Sequence, residues 1–103
     1  MKAIAIPKHF SEGDICFAKM NGYRSWPAKI LNINEKSPKV NVYFYGDGRT
    51  AHVFKSKLFE FMPHLRTIQE SQIPKTQISF IKALKEANIE YLYQFGNLNE
   101  VKY

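Results

Sequence analysis

Along residues 10–61 apolar positions recur in short alternating runs separated by turn-forming residues, the pattern of half-buried β-strands. Gly13 and Asp14 open the first run, in which Ile15, Phe17 and then Met20 are apolar. Asn21-Gly22 closes it, because an Asn-Gly pair favours the positive-φ geometry of a tight turn. The second run is WPAKILNI, residues 26–33. Proline lacks a ladder N–H, so Pro27 belongs near that strand's start or at a bulge. The polar NEKSPK, residues 34–39, reads as a loop, and Val40 to Tyr45, β-branched then aromatic, as a third strand. Gly46 to Arg49 supplies a turn, Thr50 to Phe54 a fourth strand and Phe59 to Phe61 a fifth. Strands so short and close must hide their edges, which predicts a small five-stranded antiparallel β-barrel with Phe17, Phe44, Phe54, Phe59 and Phe61 in its core.

After Met62 the period changes. Pro74 and Thr76 offer a helix start, and Ile78, Ile81, Leu84, Asn88, Tyr91, Leu92 and Phe95 fall at three- and four-residue steps. Gly96-Asn97 reads as the stop, and Pro63 to Ser71 as a short additional helix. The class is therefore α+β: a barrel over about residues 10–61, then a helical segment over about 63–96 that lays an apolar stripe against it. At 103 residues the chain is expected to be one domain. Met1 reads as a natural N-terminus, and the chain is expected to continue beyond Tyr103, where further protein partners would dock.

Charge changes this picture. Residues 1–66 hold eleven Lys and Arg against five Asp and Glu, whereas residues 67–103 hold four of each, so the whole net charge of +6 lies on the barrel. A polyanion is the expected partner for such a surface, although a basic face kept only for solubility would look the same. No apolar run reaches the ~18 residues of a membrane span, and MKAIAIPKHF is too short in its apolar part for a secretory signal. The single Cys16 excludes an internal disulfide and a multi-cysteine zinc site, and fits a reducing compartment. His9, His52 and His64 are scattered, and no nucleophile–base order, HExxH spacing or phosphate-cradling glycine loop occurs. Catalysis is not expected, and no cofactor is implied.

Three pieces between Phe10 and Ile30 carry a resemblance: the Gly13-Asp14 opening, Phe17-Ala18-Lys19-Met20, and Gly22-Tyr23-x-x-Trp26-Pro27-Ala28. Tyr43-Phe44-Tyr45-Gly46 and Thr50-Ala51 continue it. The stretch resembles a PWWP domain, and within that family the hepatoma-derived growth factor relatives. It departs in the name-giving tetrapeptide, Arg24-Ser25-Trp26-Pro27, which keeps only the last two letters. The resemblance implies a Tudor-like, SH3-like barrel and a nuclear, chromatin-associated reader of histone H3 trimethylated at its lysine 36, with concurrent nucleosomal DNA binding.

Carried over by residue, the cage walls would be Tyr23, Trp26 and Tyr45, with Met20 beside them and Asp47 at the rim. Aromatics in a small barrel more often fill its core, but Tyr23 falls in a turn and Tyr45 at a strand's end, and such residues gather at a barrel's mouth. Lys19 and Arg24, beside the cage in sequence, are the first candidates to face DNA, followed by Lys55 and Lys57; Lys75, Lys82 and Lys85 are not expected to contribute. Cys16, mid-strand, is expected to be buried and inert. Two other readings share these residues: a nucleic-acid module whose aromatic cluster is purely structural, and a docking module that prefers methylarginine or an unmodified partner.

Overall fold

The computed structural model describes the backbone of residues 9–100 and side chains through residue 95. Five strands form one antiparallel sheet: β1 (Ile15–Ala18), β2 (Trp26–Ile33), β3 (Lys39–Phe44), β4 (Thr50–Phe54) and β5 (Leu58–Glu60). Two helices follow, α1 (Phe61–Glu70) and α2 (Ile78–Glu100). The strand order is β4-β3-β2-β1-β5, so β4 and β5 are the two edges. A single 3-10 turn, Lys55–Lys57, joins them. Three residues rising about 2 Å each cannot cross a flat sheet five strands wide, so the sheet must curl until its edges nearly meet. The result is a barrel that is not fully closed, with a seam between β4 and β5. The Lys19 N–H donates to the Lys57 carbonyl at 3.0 Å, extending the β1–β5 pairing, and the Lys55 N–H donates to the Pro38 carbonyl at 2.8 Å, extending the β3–β4 pairing, so both ends of that turn are fastened to neighbouring strands.

The strand alternation divides two cores. Cys16, Ala18, Ala28, Ile30, Val42 and Phe44 face the inside of the curl with Val40, Val53 and Leu58. Ile15, Phe17 and Tyr45 face the other way, onto α1 through Phe61, Leu65 and Ile68 and onto α2 through Phe80, Ala83, Leu84 and Ala87. Covered on both faces, β1 is buried at all four positions. It stops at Ala18, so Met20 lies beyond it in the following loop.

Four expectations need correction. Phe54 and Phe59 are not core residues but are 47% and 38% exposed. In β4 it is Val53 that points inward, and Phe54 turns out under the Lys39 ammonium, 4.6 Å from the ring centroid. Phe59 stacks on His64 with ring centroids 4.8 Å apart. Phe61 is buried, yet it opens α1 instead of ending β5; Pro63 in that helix's first turn forfeits no intrahelical hydrogen bond. The buried stripe of α2 is Phe80, Ala83, Leu84 and Ala87, while Ile78 is 72% exposed. Alanines form the contact because the backbones approach closely. A Cβ on Gly46 would sit 3.1 Å from the Ala83 Cβ. The helix also continues through Gly96 and Asn97 to Glu100.

Candidate functional site

Two connections meet at one mouth of the barrel, the loop from β1 to β2 and the turn from β3 to β4. In the first, the Tyr23 N–H donates to the Met20 carbonyl at 3.1 Å. Gly22 sits third in that turn with φ 84°, where a type II turn requires a positive φ. This turn lifts Tyr23 into solvent, 71% exposed. Between the two connections lies a cleft of about 380 Å³ lined by Met20, Tyr23, Trp26 and Phe44. Ala18 and Ala51 complete the lining with no bulk, and Arg24, Asp47, Arg49 and Thr50 contribute its polar groups. Trp26 is held on two sides. Its indole N–H donates to the Tyr45 carbonyl at 2.8 Å, and its ring meets Phe80 edge-on, 5.1 Å between centroids.

Tyr23, Trp26, Met20 and Asp47 are thus brought together, but Tyr45 is not with them. Its side chain is 4% exposed on the opposite face of the sheet, edge-on to Tyr43, and its hydroxyl donates to the Glu90 carboxylate at 2.8 Å. Glu90 also takes a 2.6 Å ion pair from Lys29. Burial pushes the Glu90 carboxyl up, but the hydrogen bonds from Lys29 and Tyr45 outweigh it and hold the group below its ordinary value. The Tyr45 phenol is pushed up by burial first and then by its bond to Glu90. The third aromatic wall is Phe44, assigned to the core from sequence. The alternation in β3 held the signal: Val40, Val42 and Phe44 point one way, Tyr43 and its second neighbour Tyr45 the other.

The unusual tetrapeptide is anchored residue by residue. The Arg24 guanidinium lies flat over Phe80, 3.7 Å from the ring centroid, and donates to Gln77 Oε1 at 2.6 Å. Its Nε is buried without a partner among the described residues. Arg24 is therefore not the free, DNA-facing cation expected, because α2 holds its charged end. Ser25 Oγ and His64 Nε2 share a 2.6 Å hydrogen bond, with the imidazole also packed on Phe17. Pro27 is buried, and its carbonyl accepts the Tyr45 N–H at 3.1 Å.

Burial, and then the Arg24 cation, hold the His64 pKa below its ordinary value. The folded state thus prefers the neutral ring, whereas the unfolded chain takes up the proton near pH 6.5. The sign follows: this contribution to stability is complete above about pH 6.5 and is lost as pH falls toward the depressed folded value. Thermal midpoints are expected to fall between about pH 7.5 and 5.5, above the carboxylate range, and to fall less in His64→Gln. Equal drops in both proteins would remove His64 from this role.

Lys19, Lys55 and Lys57 do lie together. They gather at the 3-10 turn that joins β4 to β5, Lys19 through its bond to the Lys57 carbonyl, and Lys55 Nζ reaches the Asn34 carbonyl at 3.2 Å. The Lys55 bonds to Pro38 and Asn34 bring in Lys36 and Lys39, both exposed, which the sequence reading places in the loop and of which Lys39 opens β3. The strip carries few acids, Glu35 being the one within its loop. Cys16 is fully buried, and burial, then Asp14, push its thiol up to about 12. Among the described residues no group of His, Cys, Asp and Glu could hold a metal, and no helix is long and apolar enough to cross a membrane.

A curled five-stranded sheet with an aromatic cleft at its mouth and helices behind is matched at the level of sequence. The profile of the PWWP domain covers residues 13–92, most of the chain. The chain belongs to the PWWP domain family. Among solved structures it is similar to the second PWWP domain of the WHSC1L1 protein, with a TM-score of 0.62 over 89% of this chain and 90% of that one. At 22% identity that likeness speaks for a common PWWP fold alone. The Arg24-Ser25 departure leaves this fold intact, since each residue finds a partner on a helix.

Proposed function

We propose that this PWWP domain is a chromatin reader that takes a trimethylated lysine into the cleft walled by Tyr23, Trp26 and Phe44. A methylated ammonium keeps its charge but loses donors and gains apolar surface. Aromatic faces offer it negative quadrupole potential and apolar contact together, at about 0.5–2 kcal/mol per face. Met20 adds a polarisable flank and Asp47 a carboxylate at the rim. The observation that carries the reading is the open space between three aromatic rings at the barrel mouth, in a family known for methyl-lysine reading. The family supports histone H3 trimethylated at its lysine 36 as the ligand and the nucleus as the place. The Gly13-Asp14 and Phe17–Met20 pieces favour the hepatoma-derived growth factor relatives as the subfamily, and we take the chain as one such module. The role is binding and not catalysis: a thiol pushed up to about 12 supplies no thiolate.

A cage of this kind leaves a peptide bound at micromolar to millimolar strength, roughly, once ordering costs are met. The lysine strip supplies the rest. With Lys19, Lys55, Lys57, Lys36 and Lys39 along phosphates while the tail enters the cleft, two weak contacts reinforce each other by about 10²–10⁴. No residue of the strip is built for base readout, so any DNA sequence should serve. Lys55→Glu with Lys57→Glu is expected to flatten the log–log salt dependence of nucleosome binding by about 1–2 units of slope. An unaltered slope would move DNA to another face.

One observation favours a second reading. Arg24 and Arg49 line the cleft against the single carboxylate of Asp47, and arginine beside aromatic faces also suits stacking of an unpaired nucleic-acid base. Trp26 is the only tryptophan, so its fluorescence reports the cleft directly. Titration with one H3 peptide carrying zero to three methyl groups, and with dimethylarginine, separates the readings. Affinity should rise with each methyl on lysine; indifference to methylation, with tight oligonucleotide binding, would favour the second.

A further inference from the structure

We infer that α2 is the positioning element of the cleft, bracing its two lips at a set separation; this rests on the reading of the cleft given above. Each lip is tied separately to the helix. On the β1–β2 side, the Arg24 guanidinium is clamped between the Phe80 ring and Gln77 Oε1, and Phe80 in turn supports Trp26 edge-on. Gln77 immediately precedes α2, and its carbonyl accepts the Ile81 N–H at 3.0 Å, so the clamp sits on the helix's first turn. On the β3–β4 side, the Gly46 N–H donates to Glu86 Oε1 at 2.9 Å, and Gly46 lies against Ala83 too closely for any side chain there. A further tie, Trp26 Nε1 to the Tyr45 carbonyl, crosses between the lips.

The β3–β4 turn is closed by its own backbone bonds, Phe44 N–H to the Arg49 carbonyl at 2.7 Å and Gly48 N–H to the Phe44 carbonyl at 3.1 Å, but these set the turn and not its distance from the facing loop. On that facing loop Tyr23 is 71% exposed, and among the described residues the loop's other side-chain tie to the helical side is Ser25 to His64. A cage binds by presenting its rings already spaced for the cation, since ordering them on binding would consume much of the small gain. Arg24, standing where the family's pattern has proline, exchanges a rigid ring for a planar fork that reaches across to α2. Gln77 and Glu86 thereby act on the ligand through Arg24 and Gly46 without touching it.

The test uses matched pairs. Gln77→Ala and Glu86→Ala remove the acceptors, whereas Gln77→Glu and Glu86→Gln keep an acceptor oxygen at the same reach. In the free protein, acrylamide quenching of Trp26 should increase in the alanine variants and return toward the wild-type value in the conservative ones. For the trimethyl-lysine peptide the alanine variants should raise Kd about tenfold, with the conservative partners within about twofold of wild type. Affinity for free DNA should not move. Unchanged quenching and peptide affinity in the alanine variants would overturn the brace. So would equal damage from the alanine and the conservative member of a pair, or peptide and DNA affinities falling together. If wild type binds no methylated peptide, the functional reading fails, while Trp26 quenching still decides whether α2 orders the cleft.

Discussion

Replacing Trp26 by alanine is expected to weaken trimethyl-lysine peptide binding by about 30-fold or more, the loss of a central aromatic anchor worth about 2 kcal/mol. Free-DNA affinity is expected to stay within about twofold, because the lysine strip gathers at the Lys55–Lys57 turn and none of its lysines lines the cleft. The loss has two parts: the ring's own cation–π and apolar contact, and its packing against both cores. Because Trp26 also rests on Phe80, its removal should cost stability as well. Tyr23→Ala separates the effects. Tyr23 is 71% exposed, so its loss should leave the unfolding midpoint nearly unchanged while reducing peptide affinity by about 3–10-fold. Calorimetric titration and thermal melts on the same preparations check both. Parallel loss of peptide and DNA binding in Trp26→Ala would contradict the separation of the two surfaces.

The second large effect falls on stability. Tyr45→Ala is expected to destabilise the fold by about 3–5 kcal/mol, the range for truncating a buried aromatic. The ring is 4% exposed beneath α2, and its truncation also leaves Glu90 with Lys29 alone. Tyr45→Phe keeps the ring and removes only the hydroxyl, so about 1 kcal/mol is expected, on the scale of one hydrogen bond. Urea denaturation reads both. Had Tyr45 been a cage wall, alanine there would abolish methyl recognition with little change in stability; that outcome would return it to the cleft and expel Phe44.

The contrast between these residues shows what the chain discloses and what it hides. The strands could be read because period-two alternation and turn residues are local: Asn21-Gly22, Gly46 and the Val40–Phe44 run each act within a few positions. Even the cleft's third aromatic wall was readable. Placing Tyr45 at the mouth by its position at a strand end ignored the rule that neighbours point to opposite faces, which gives the cleft to Phe44. Other features were not local. Arg24 finds Gln77 and Phe80 more than fifty positions away, so nothing near it tells a clamped guanidinium from a free one. The alanines of α2 bury by backbone approach to Gly46, which a count of large apolar residues misses. Phe54 and Phe59 sit on the two edge strands, where an aromatic is not obliged to be interior. Lys36 and Lys39 join Lys55 through the β3–β4 pairing, which brings together positions some sixteen or more apart in the chain.

Binding to nucleosomes with and without a trimethyl group on lysine 36 of histone H3, at two salt concentrations, separates the cleft's contribution from that of the lysine strip. The account predicts tighter binding to the methylated nucleosome at both salts, with affinity for each nucleosome falling steeply as salt rises and the ratio between them nearly preserved. Equal affinity for the two nucleosomes at both salts would contradict it, leaving a basic barrel that grips DNA and a cleft that holds something else.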